Sequence, residues 1–477
     1  MRYPYDMWAH LISIDNIYDY TSIPEARRVW HSIWRWVFEF FGIGRGDILI
    51  RADIIHTTQT LMSFGAIYLF SLVVVRNIYT TIPSLHHHYM AYWSTIIWFS
   101  IFATFSTFYH HTWIMWYSIS YQITLPLFFF ITALTLILFL ERVSLYRRVV
   151  YILLIVIISL FILRVHSMEY FYYLLYMSIL SLIFAKDTLK ILQRYYYIFI
   201  PLVVILILFA KQHHGDETRL IHYISNFEFV ELYRTIVREG RLLVDGLNRA
   251  NASINEMMYV VGFFTLVMIV SLYRGTVSIS LRLFVFTIIT SLFVAIPLFV
   301  FSAGLASLFT KISVVNRIYY SSSLFVLLPI SIYYITSRYR IWLFNISIVT
   351  LLIATIIYSK EFSSTHNYYA NIQSLKQSLL EDKVRFNLTD KEIEIVSKEL
   401  QRYPKESIDS PKVLFFARGD IAVVLKYIYH REVFWRGRRA ELTKKMFDEY
   451  CDILDPQETI CVEFETPKGF GVYMPYY

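Results

Sequence analysis

The chain has 477 residues, of which 57% are hydrophobic and only 17% charged, with a formal net charge of +8 and a mean hydropathy of +0.49. Water-soluble domains carry about a quarter charged residues, so this composition excludes an ordinary soluble fold and points to a chain that lives in a bilayer. The excess of Lys and Arg is what positive-inside bias produces, and no basic stripe stands clear of the apolar segments to bind nucleic acid.

The opening stretch, MRYPYDMWAHLISIDNIYDYTSIP, is polar and aromatic and lacks the basic region and apolar core of a signal peptide. Asp6 and His10 are four apart, so a helix would put both on one face, with Met7, Trp8, Leu11, Ile12, Ile14 and Ile17 along the membrane. A carboxylate beside an imidazole can act as a base with its orienter, as two ligands of a divalent cation, or as the solvated side of an interfacial helix. The next stretch, PEARRVWHSIWRWVFEFFGIG, predicts an amphipathic helix lying in the interface. Trp30, Ile33, Trp34, Val37, Phe38 and Phe41 form its apolar stripe, and Arg27, Arg28, His31 and Arg35 its polar side. RGDILIRADIIHTTQTL then brings Asp47, Asp53 and His56 to the head of the first span. Asp53 and His56 are three apart and share a helical face, although charges at a span's mouth also serve as boundary markers.

A helix needs about 17–25 apolar residues to cross the hydrocarbon. Runs of that kind occur at 57–76, 91–109, 122–141, 149–165, 169–185, 195–210, 257–273, 282–302, 318–335 and 341–358, which predicts about ten spans. One set of connections holds Arg76; Arg142, Arg147 and Arg148; Lys186, Lys190 and Arg194; Arg274 and Arg282; Arg338 and Arg340. The alternate short connections, 110–121 and 164–168, hold only Arg164, while 303–317 holds Lys311 and Arg317. The first set therefore faces the cytoplasm, and residues 1–56, the loop 211–256 and the tail 359–477 face the other side. An exported start without a preceding helix leads to the expectation that the reading frame begins just after a first span, which would make eleven.

Between the spans, FYHHTWIMWYSISYQITL offers Tyr109, His110, His111, Ser118, Tyr121 and Gln122 on the external side. The loop KQHHGDETRLIHYISNFEFVELYRTIVREGRLLVDGLNRANASINEMM is too long for a turn. It carries His213, His214, Asp216, Glu217 and His222 and then an amphipathic helix with Arg234, Arg238 and Arg241, a layout suited to a lid. TKISVVNRIYYSSS puts Arg317 at the external mouth of a span, where its planar fork of donors would suit a phosphate or it would simply snorkel. The tail reads as a small soluble α/β domain: strands at KVLFF, EVFW, TICVEF and FGVYM, helices at DIAVVLKYIYH and RAELTKKMFDEYCDIL. Cys451 and Cys461 would meet an oxidising compartment, where a disulfide and two buried thiols both fit. Asn251 and Asn387 head N-x-S/T sequons, in keeping with an external location.

The run of Asp6, three residues, His10 and then an aliphatic-rich stretch ending in SIP resembles the first external loop of GT-C membrane glycosyltransferases. The wider layout is also similar: an all-α polytopic bundle of about ten visible spans, interfacial helices, a large external loop and a small C-terminal α/β soluble domain. The resemblance implies a polyprenyl-phosphate-linked sugar as donor and a lipid, glycan or protein acceptor. Asp6 and His10 would be catalytic, with Asp6 also able to hold a divalent metal, Mg or Mn. Arg317 would hold the lipid phosphate, with Lys311 behind it, and His110, His111, Tyr121, Gln122, Asp53 and His56 would line the substrate site. Two departures keep the likeness at superfamily level. No WWDYG-like motif occurs in 359–477, and Asp6 is followed by Met7 where protein O-mannosyltransferases have an Asp-Glu pair. Two other readings stay open. One is an O-antigen-type polysaccharide polymerase or ligase using Arg234, Arg238 and His222. The other is a non-enzymatic lipid or polysaccharide transporter, although the spans are nearly free of charge.

Overall fold

The computed structural model describes residues 14, 25–44, 48–99, 120–165, 167–189, 193, 227–250, 280–293, 296, 299–308, 321–336, 342–350, 353, 384–385, 388–403, 412–427, 429, 431–436, 440–455 and 457–464. They are mostly helical. Three helices are long and apolar enough to cross a bilayer: Ile50–Ile78, Ile123–Leu140 and Leu145–Val165. The first belongs to a helix that runs Ile48–Ile78, 31 residues and so about 46 Å at 1.5 Å per residue, longer than the roughly 30 Å of hydrocarbon.

The other expected spans meet the structure unevenly. The runs at 91–109, 169–185 and 318–335 overlap helices Ser84–Ile97, Ser167–Ile183 and Leu324–Thr336, which over the described residues are shorter than a full crossing. Those at 195–210 and 257–273 lie outside the described residues. The run at 282–302 is not one helix: Leu281–Ser291 ends, and a second helix, Val300–Ser307, follows. In the sequence Pro297 falls between them, and proline has no N–H to donate to a helix.

Aromatic side chains fill the middle of the bundle. Phe70 meets Phe129 at 5.1 Å between ring centroids, Phe129 meets Phe325 at 5.4 Å, and Tyr176 meets Phe128, Phe286 and Phe293 at 5.1, 5.6 and 5.3 Å. Lipid is as apolar as these rings, so burial from water does not drive such contacts; close packing and hydrogen bonds do. The Tyr176 hydroxyl donates to the Ser321 carbonyl at 2.5 Å. Beside it the broken helix end is closed by hydroxyls. Ser323 Oγ donates to the Thr287 carbonyl at 3.0 Å and Ser322 Oγ to that of Ser291 at 2.8 Å, while the Ser323 N–H donates to Thr290 at 3.4 Å. Carbonyls freed inside a membrane must find such donors, and the serine run directly before helix 324–336 supplies them.

The two ends of the bundle differ. At one end Arg76 pairs with Glu141, to which Asn77 also donates at 3.1 Å; Arg282 reaches Asp187 at 3.4 Å; and the Ser280 N–H donates to Ile78 at 2.9 Å. At the other end a separate apolar cluster joins Ile14, Trp30, Trp34, Phe38, Ile55 and Val165 to Val413, Phe415, Ile421 and Val433 of the tail. The tail carries a three-stranded parallel sheet, Glu432–Arg436, Lys412–Arg418 and Thr459–Glu463 in that spatial order. Helices Gly419–Tyr427 and Ala440–Cys451 connect the strands, as parallel pairing requires. Cys451 and Cys461 form a disulfide between the second of these helices and the last strand. The expected closing strand FGVYM lies outside the described residues.

Candidate functional site

The end that carries the apolar cluster is built first by helix Glu25–Phe40. Trp30, Trp34 and Phe38, spaced four apart, are buried and touch in series, 6.5 and 5.9 Å between centroids. The helix closes with Gly42 at φ +65°: the Ile43 N–H donates to Phe38 and the Gly42 N–H to Glu39, the paired bonds of a glycine C-terminal cap. The expected single apolar stripe turns out to be two. Ile33, Trp36, Phe40 and Phe41 are exposed, Trp36 stacking on Phe40, while His31, expected on the polar side, is fully buried beside Trp30. A helix with one aromatic face on protein and another left open suits an interfacial position.

Arg51 locks this helix to the next. Its Nη2 donates to the Ile43 carbonyl at 2.6 Å and its guanidinium lies 4.9 Å from the centre of the Phe38 ring. Arg51 is not among the residues that spacing singled out; its signal is an arginine set among apolar residues of a helix.

Helix 48–78 then presents Asp53 exposed and His56 half-buried, one turn apart as the spacing predicted. Tyr121 and Gln122 occupy the first turn of helix Ser120–Leu140. The next residue, Ile123, and the neighbours of Asp53 and His56, Ile54 and Ile55, belong to the same apolar cluster. The structure thus brings these four candidate positions to one end of the bundle. Asp6, His10, His110, His111, Lys311 and Arg317 lie outside the described residues. Among the described residues no three His, Cys, Asp or Glu side chains come together as a metal site.

Two further buried groups lie toward this end. Glu169 is fully buried on the first turn of helix 167–183, four residues from Val165 of the apolar cluster. An acidic residue in the first turn of a helix is favourably placed, and a buried ionisable residue at the head of an apolar helix is a functional candidate. It was missed because a lone acid between two apolar runs reads as a loop marker. Gln59 is also fully buried, three residues inward from His56.

Helix Phe229–Ala250, the core of the expected lid, is docked rather than loose. Gly240 and Gly304 face each other across it and helix 300–307: a Cβ on Gly240 would lie 1.8 Å from the Val300 carbonyl oxygen, and one on Gly304 the same distance from that of Ile236. Two helices approach that closely only through glycine. Arg234 and Arg238 on its outer side are exposed, and pair with Glu231 and Glu239 at 3.6 and 3.7 Å.

Comparison with family models, curated proteins and solved structures finds no match to this chain.

Proposed function

We propose that the chain is a membrane glycosyltransferase of the GT-C kind, moving a sugar from a polyprenyl-phosphate donor to an acceptor at the external membrane face. The observation that supports this reading is the gathering of one set of groups at one end of the bundle. The two-faced aromatic helix 25–40, the turn carrying Asp53 and His56, the start of helix 120–140 and the tail's parallel sheet share one apolar cluster there. The ion-paired Arg76 and Arg282, from the basic connections, mark the other end. A lipid-borne sugar needs this layout, since its tail stays among the spans while its head must meet an acceptor in water. The Cys451–Cys461 disulfide agrees with an external tail, because such bonds persist in oxidising compartments.

In the reaction, the acceptor hydroxyl oxygen attacks the anomeric carbon and its proton passes to the Asp6 carboxylate, oriented by His10. The bond from that carbon to the phosphate oxygen breaks on the opposite face, so the configuration inverts and the electron pair leaves on the lipid phosphate. Arg317 offsets that charge, an electrostatic contribution made where the charge develops. Alternatively, Asp6 would hold a divalent metal, Mg or Mn, which would supply charge neutralisation at the donor phosphate.

The test is transfer of labelled sugar from synthetic polyprenyl-phosphate monosaccharides in proteoliposomes. Asp6→Ala should lower transfer by about 10²-fold or more, the usual worth of a general base, while membrane insertion is unchanged. Wild-type transfer by that variant, with loss instead on Arg234→Ala and Arg238→Ala, would move the site to the long external loop and favour a polymerase or ligase of the O-antigen type.

A further inference from the structure

Among the described residues, four buried polar atoms on the outer half of helix 48–78 meet no hydrogen-bond partner: His56 Nδ1, Gln59 Oε1 and Nε2, and Thr60 Oγ1. Positions 56, 59 and 60 lie on one helical face, with Ser63 a turn further in, its own hydroxyl spent on the Gln59 carbonyl at 2.7 Å. That face looks inward, since Ala52, Ile55, Gln59, Ser63, Ala66 and Ile67 are all buried while Thr57, Thr58, Leu61 and Met62 are exposed. A fifth unpartnered group, the buried Trp98 Nε1, comes from the end of the neighbouring helix 84–97, where the adjoining Phe99 touches Phe64 at 6.1 Å. Gln59 has 0% exposure and neither amide atom met. At this depth no bulk water relieves it, and folding does not ordinarily leave so many polar atoms unmet along one stripe.

We infer that this stripe is the subsite that holds the sugar ring of the donor, an inference that rests on the glycosyltransferase reading. The chemistry selects the occupant. Gln59 offers a donor and an acceptor, Thr60 both, His56 Nδ1 either, and Trp98 a donor only. An anion would want a cation there, and the nearest buried one, Arg51, is engaged with Ile43 and Phe38. A divalent metal ion would want carboxylates or several imidazoles, and among the described residues no three His, Cys, Asp or Glu side chains come together. A neutral sugar ring, whose hydroxyls each donate and accept, suits the mix of donors and acceptors at His56, Gln59 and Thr60. Gln59 lies eleven residues toward the helix start from Phe70 of the aromatic core, about 16 Å along the axis, on the side of Asp53 and the apolar cluster.

The experiment measures binding of farnesyl-phosphoryl glucose, mannose, galactose and arabinose to the full chain in nanodiscs, with farnesyl phosphate as the sugar-free control. In the wild type at least one sugar-bearing lipid should bind more tightly than farnesyl phosphate. Gln59→Met, of nearly the same length, and the isosteric Thr60→Val should each weaken that lipid by roughly 10- to 100-fold and leave farnesyl phosphate within about twofold. Sugar-dependent binding that neither variant alters overturns the subsite and leaves the transferase reading standing. Equal wild-type binding of all five lipids overturns the subsite and the transferase reading together.

Discussion

Gly240→Ala offers the sharpest test of how the long loop is held. In a free helix this change is stabilising by about 0.8–1.0 kcal/mol, because alanine loses less backbone freedom on folding. Here the new methyl would start 1.8 Å from the Val300 carbonyl oxygen, whereas ordinary contact begins at 3.4 Å, so the helices must separate by the difference, 3.4 − 1.8 = 1.6 Å. The glycine Cα–H groups that now point at facing carbonyls contribute about 0.5–1 kcal/mol each, and forced overpacking typically costs about 1–3 kcal/mol. The opposing terms leave a net loss of about 1–3 kcal/mol. Gly65 is the matched control: it sits in helix 48–78 with nothing within 4 Å of its would-be Cβ, so Gly65→Ala should be neutral or stabilising. Thermal denaturation of both variants in one detergent reads the sign directly. A Gly240→Ala protein at least as stable as Gly65→Ala would mean that helix 229–250 does not dock on helix 300–307.

Ser323→Ala removes a hydroxyl that meets the Thr287 carbonyl and the Thr290 and Ser291 hydroxyls, so it should destabilise the bundle by about 1–2 kcal/mol, seen as a lower thermal midpoint; no change would remove the serine cap from the account. Opening the Cys451–Cys461 disulfide, which closes a loop of ten residues' separation, should cost the tail about 3 kcal/mol in denaturant, and both thiols should resist alkylation until a reductant is added. For sidedness, a membrane-impermeant maleimide added to intact cells should label Asp53→Cys and leave Arg142→Cys untouched; the reverse pattern sinks the external placement of the candidate site.

Long, uniformly apolar segments were legible in the sequence because hydropathy over twenty residues needs no tertiary information. Hence the runs at 57–76, 122–141 and 149–165 are helices, and the short apolar runs in the tail are strands at KVLFF, EVFW and TICVEF. Contacts between distant segments were not legible. The stripe of helix 25–40 could not say which aromatics would meet protein and which would stay open, so His31 was placed on the wrong side. Averaging over a window hid the break in 282–302, and nothing local announces that serines at 322 and 323 close it. Of the candidate site, the Asp53–His56 pair and the start of helix 120–140 were read from spacing and share one end. Gln59 escaped notice because attention to ionisable residues passes over a neutral amide, although burial makes its unmet atoms as telling as a charge.

The placement of polar groups by depth bears on the rival reading as a transporter. A broken helix with buried hydroxyls at mid-bundle is the architecture in which transporters bind ions and substrates. Here, however, the hydroxyls of Thr290, Ser291, Ser322 and Ser323 are engaged with one another or with the carbonyls of the broken end, and Tyr176 closes the layer from the other side. The atoms that lack partners on helix 48–78 sit farther out, at His56, Gln59 and Thr60, on the helix that also carries Asp53. A translocation pathway would need unmet polar groups to continue inward past Phe70 and Phe129, and on that helix the inward stripe becomes Ala66, Ile67 and Phe70 instead. Polar capacity that stops at an aromatic floor supports a site entered from one side, which is what surface chemistry on a lipid-held sugar requires.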